Sequence, residues 1–113
     1  MKTLITLGIL LFSIKNSLGQ PSIKTTTISV KGNCEDCKER IENAADIKGV
    51  KLFVWDVDTK IATITYNTDK VTILQIEKAI AKIGYEAGNE KANENAYLKL
   101  PECCQYKNRE CKK

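Results

Sequence analysis

Apolar and polar residues alternate along segment 24–31, with Thr26, Ile28 and Val30 on one side, which is the period of a half-buried strand. Gly32-Asn33 interrupts it. From Cys34 to about Ala45 the spacing changes, and Cys37, Ile41, Ala44 and Ala45 share one helical face. Gly49 ends that helix. Phe53, Trp55 and Val57 then alternate as a second strand, followed by a turn at 56–59. Ala62, Ile64 and Tyr66 form the inner face of a third strand, with Thr63 and Thr65 outside. Thr72 and Gln75 have the spacing of a capping box, and Ile73, Ile76, Ile80 and Ile83 make an apolar stripe on a second helix over 73–83. Gly84 stops it, and 85–87 suits a short fourth strand.

The order is strand–helix–strand, twice. It predicts an α+β fold of the ferredoxin-like βαββαβ type: a four-stranded antiparallel sheet with two helices on one face.

Two segments fall outside this pattern. Residues 1–19 read as an export signal: basic Lys2, an apolar run over 4–14 and a small-residue cleavage site at Ser17-Leu18-Gly19. The run is too short for a permanent membrane anchor. The expected location is therefore outside the cytosol, periplasmic or secreted, with no stable membrane insertion of the mature chain. The domain spans 20–89. A tail over 90–113 follows, polar at first, with a possible short helix over 92–100 stopped by Pro101.

Composition narrows the chemistry. Removing the leader takes away Lys2 and Lys15 and lowers the formal charge from +4 to +2. Lys and Glu are interleaved along the remainder, so no basic cluster points to nucleic acid. The 113 residues include five cysteines and no histidine. Five cysteines cannot all pair within one chain, so a thiol stays free or some sulfurs bind metal. Any soft-metal site here must be built from thiolates.

Cys34-Glu35-Asp36-Cys37 is the constellation that carries chemistry. Its two-residue gap lets two sulfurs converge on one ion, the first from a loop and the second from the opening helical turn. The positive end of a helix favours the thiolate form that metals require. Lys38 and Arg40 add to this, while Glu35 and Asp36 oppose it. Thiolates without nitrogen or oxygen partners favour Cu(I) and similarly soft ions. A thioredoxin-type redox motif would carry Trp before the first Cys and Pro within it, and neither is present. A c-type haem would need His where Lys38 stands, and a zinc ribbon would need a second CxxC. A structural Cys34–Cys37 disulfide would close too short a loop to stabilise much.

The run Ile28-Ser29-Val30-Lys31-Gly32-Asn33-Cys34-Glu35-Asp36-Cys37 resembles the motif of the heavy-metal-associated domain family, a strand leading into G-M-x-C-x-x-C. The similarity continues through Ile41, Gly49-Val50, Asp56, Thr65-Tyr66, Val71, Ile76, Ile80 and Gly84-Tyr85, covering about 23–89. The family includes copper chaperones, modules of copper-transporting ATPases and periplasmic mercury-binding proteins. The resemblance implies that Cys34 and Cys37 hold Cu(I), or Hg(II), at an exposed rim. It also implies exchange with a donor or acceptor protein such as a metal transporter. Tyr85 maps onto the family's aromatic near the site, which implies a supporting role beside the metal. Asn33 alone stands where the family has Met and Thr or Ser, so the lead-in loop is one residue shorter.

Cys103, Cys104 and Cys111 lie outside the resemblance. They can form a tail disulfide, add metal ligands, or link two chains; adjacent Cys103 and Cys104 are poor partners for each other. The expected molecule is a monomer or a metal- or disulfide-linked dimer. It is a binding and delivery protein rather than an enzyme, with a thiol–disulfide redox protein of the cell envelope as the alternative.

Overall fold

The structure, a computed structural model, describes residues 22–107. The leader over 1–19 and Cys111 lie outside the described residues. Strand β1 (Ile23–Ser29) leads to helix α1 (Glu35–Ala44), then β2 (Val50–Trp55), β3 (Ile61–Asn67) and α2 (Ile73–Lys82). The tail adds a short helix, α3 (Glu94–Leu98), and a 3-10 turn over Glu102–Cys104.

Both strand pairings are antiparallel and the sheet order is β1-β3-β2. The described residues therefore contain three strands rather than the expected four. What was expected as the fourth strand survives as a single bridge, Ala87 opposite Val30. It is fastened by Lys31 N donating to Glu86 O (3.0 Å) and Gly88 N donating to Ser29 O (2.8 Å). Pairing stops there because Gly88 takes φ +58° and bends Ala87 back onto Glu90. The position beside β1 and the two helices are otherwise those of the expected α+β fold.

The alternation read from the sequence decides which face is covered. Val30, Phe53, Trp55, Ala62, Ile64 and Tyr66 point into one core with Cys37, Ile41, Ile76 and Ile80 from the helices. Each large apolar side chain so buried contributes about 1.5–3 kcal/mol. On the other face the Thr25 and Thr65 hydroxyls meet at 2.9 Å, and Leu52 and Val54 stand exposed. Helix α2 begins with the expected capping box: Gln75 N donates to Thr72 Oγ1 (3.1 Å) and Thr72 N donates to Gln75 Oε1 (2.9 Å). Among the described residues no helix is long and apolar enough to cross a membrane.

The tail packs on this domain. Asn93 N donates to Ala81 O (2.9 Å) at the end of α2. The Tyr106 hydroxyl donates to Gly84 O (2.9 Å) and accepts from Glu86 N (3.1 Å). Its ring stacks on Tyr85 at 5.7 Å and meets Tyr97 edge-on at 5.1 Å. Burial pushes the Tyr106 phenol up to about 12, so it stays a neutral donor.

Candidate metal centre

The loop between β1 and α1 is held from beneath by Trp55. This fully buried indole donates from Nε1 to Val30 O at 2.9 Å. A Cβ on Gly32 would come within 3.0 Å of the Trp55 ring and 3.1 Å of Ile41. Close approach of backbone to ring thus fixes where the chain turns into α1.

Cys34 is the N-cap of α1, in extended conformation, with its carbonyl accepting from Lys38 N at 3.0 Å. Cys37 follows in the first helical turn and is fully buried. The helix's positive end lies beside both sulfurs and favours the negative charge of a metal–thiolate cluster. The ammonium of Lys38, expected to assist, is engaged elsewhere. It donates to Glu42 (2.7 Å) and to Trp55 O (2.7 Å), while Glu42 accepts from Trp55 N (2.9 Å). This group bolts α1 to the end of β2.

The tail brings a third sulfur. Cys104 is fully buried, and its Sγ and those of Cys34 and Cys37 all lie within 4.8 Å of one another. Cys34 also belongs to a second group, with an Asp36 carboxylate oxygen and Cys103 Sγ within the same distance. Cys34, Cys37, Cys103 and Cys104 are all thiols. Burial, then the neighbouring Cys37 thiol, pushes the Cys104 thiol well up from its ordinary range. The expected exposed rim is therefore only half realised. Cys34 is partly accessible, whereas the docked tail closes over Cys37.

Tyr85 stands against this cluster. Its side chain is fully buried, and its hydroxyl has no oxygen or nitrogen partner among the described residues, only the Cys37 and Cys104 thiols beside it. Burial raises its pKa far above the usual phenol range, and the adjoining Cys37 and Cys104 thiols raise it further. Asn33 reaches the other way: its Nδ2 donates to Cys103 O at 2.7 Å, tying the lead-in loop to the tail. The sequence left Cys103, Cys104 and Cys111 open between added ligands and a disulfide, and did not single out Cys104 as the one beside Cys37. No periodicity or spacing links positions so far apart in the chain.

The fold is shared with known metal carriers. The heavy-metal-associated domain model matches residues 21–86, and the chain belongs to that family. It is 31% identical over 87 residues to the "Mercuric transport protein periplasmic component" of Shewanella putrefaciens, covering 75% of this chain and 93% of the relative. Among solved structures, oxidized MerP from Ralstonia metallidurans CH34 matches with a TM-score of 0.55 and 28% identity, over 58% of this chain and 94% of that one. The CopZ metallochaperone matches with a TM-score of 0.54 and 27% identity, over 57% and 98%. The family match ends before Cys103 and Cys104.

Proposed function

We propose that this chain is an exported carrier that binds one soft metal ion, Cu(I) or Hg(II), through Cys34 and Cys37 and passes it to a partner such as a metal transporter. The observation that carries this reading is the position of both sulfurs at the start of α1, within 4.8 Å of each other. A linear two-sulfur complex with metal–sulfur bonds of about 2.3 Å needs sulfurs about 4.6 Å apart. One ion can therefore bridge the two sulfurs.

Transfer follows from the unequal exposure of the pair. A partner thiolate reaches the ion from the side of half-buried Cys34 and forms a new sulfur–metal bond. The Cys34–metal bond then breaks and Cys34 takes up a proton, with no change in oxidation state. Buried Cys37 holds the ion until a second partner thiolate replaces it. Family membership and the mercuric transport relative support the reading, and the leader-like residues 1–19 support export.

The test is competition for Cu(I) and for Hg(II) against a chromophoric chelator, under anaerobic conditions. The Cys34→Ala, Cys37→Ala double variant is expected to lose the competition that the parent chain wins. Equal retention of metal by both would remove the assignment.

A further inference from the structure

We propose that Cys104 supplies a third thiolate to the Cys34–Cys37 site, so that the tail and the motif loop enclose a trigonal pocket for a soft divalent ion of the mercuric type. This rests on the reading of Cys34 and Cys37 as metal ligands and adds to it a ligand from outside the family's domain.

Geometry is the first support. Around an ion with metal–sulfur bonds of about 2.3 Å, three trigonal sulfurs sit about 4.0 Å apart. The three sulfurs here are already within 4.8 Å of one another, so closing on an ion needs shifts of less than about 1 Å.

The second support is how firmly Cys104 is placed. Its 3-10 turn is closed by Cys104 N donating to Pro101 O at 2.8 Å. Asn33 holds the carbonyl of the preceding residue. On the far side, Gln105 Nε2 donates to Leu98 O (3.2 Å) and Leu100 O (3.1 Å), and Tyr106 is clamped to Gly84 and Glu86. Ordering a tail in this way carries a conformational entropy cost, and its result is a sulfur delivered to the motif.

The third support is Tyr85. Beside the fully buried Tyr85 hydroxyl the described residues place only thiol sulfurs, which are weak acceptors. Metal-bound thiolates are strong acceptors, and the Tyr85 O–H adjoins Cys37 and Cys104. Loading the pocket would turn its weak thiol acceptors into strong ones.

Charge selects the class of ion. Three thiols release three protons to solvent as three metal–sulfur bonds form. The resulting cluster carries one net negative charge around a divalent ion and two around a monovalent one. With Cys37 and Cys104 fully buried, the smaller charge is favoured.

X-ray absorption at the mercury edge of the reduced full chain, loaded with Hg(II), counts the sulfurs directly. Three sulfurs are expected for the parent chain and for Cys103→Ser, and two for Cys104→Ser. Two sulfurs in the parent would overturn the proposal without touching the paired site, and needs no variant to fold. Three sulfurs retained in Cys104→Ser would overturn it equally. If instead the Cys34→Ser, Cys37→Ser double variant held Hg(II) as tightly as the parent, the underlying site reading would fail.

Discussion

The side-chain amide of Asn33 donates to the carbonyl of Cys103 at 2.7 Å, joining the loop that carries the first motif cysteine to the tail that carries three more. Asn33→Ala removes the donor and leaves a part-buried carbonyl short of its partner. The expected loss is about 1 kcal/mol of unfolding free energy, read as a lower urea midpoint at an unchanged slope. An unchanged midpoint would mean that the tail is held without Asn33.

Cys34 and Cys37 should respond differently to the same substitution. Cys34 is a half-buried N-cap whose side chain makes no capping bond, and Ser is a favoured N-cap residue. Cys34→Ser is therefore expected to lose metal while keeping or slightly raising the metal-free melting temperature. Cys37→Ser places a hydroxyl in the core and is expected to lose metal and about 1–3 kcal/mol as well. Thermal unfolding of the two metal-free variants checks this, and equal stabilities would contradict the burial of Cys37.

Gly84 is required by the tail as well as by its own turn. Its φ is +108°, and a Cβ there would come within 2.9 Å of the Tyr97 backbone. Gly84→Ala is expected to cost about 1–2 kcal/mol from the left-handed backbone alone, and to push α3 off the domain. Hydrogen exchange at the Asn93 amide, which bonds to Ala81 O, should then accelerate. Unchanged protection at Asn93 would show that the tail accommodates the methyl group.

Asp56 gives the β2–β3 turn a dependence on pH. Its Oδ1 accepts from Asp58 N (2.8 Å) and Thr59 N (2.9 Å). These bonds, Thr59 first, hold its carboxyl below the ordinary value of 3.8. A group lowered on folding contributes stability above its unfolded value and loses that contribution as the pH falls through its folded value. Between about pH 5 and about pH 2, the parent should therefore lose more melting temperature than Asp56→Asn does. Parallel curves for the two proteins would rule out this contribution.

Much of the domain was legible in the sequence because its signals are local. Period-two alternation placed Trp55, Ile64 and Tyr66 on the covered face, and Thr72 with Gln75 marked the start of α2. The fourth strand was over-read. Tyr85-Glu86-Ala87 has strand-like composition, but Gly88's backbone turns the chain after one bridge. Cys34 and Cys37 were legible as a pair because two ligands in one helical turn are a local pattern. Cys104 was legible only as one of three tail thiols that could add a ligand or form a disulfide, since its place beside Cys37 depends on tertiary docking by Tyr106, Gln105 and Asn33. Composition reports ligand type, while the charge and burial of the assembled cluster discriminate between ions.

That Cys34 and Cys37 bind a soft ion is read out by native mass spectrometry of the anaerobically reduced full chain titrated with Hg(II) or Cu(I). One ion per chain is expected at low metal excess, with binding abolished when Cys34 and Cys37 are both replaced. Metal retained by that double variant at the parent's level, or no metal bound by the parent, would contradict the claim.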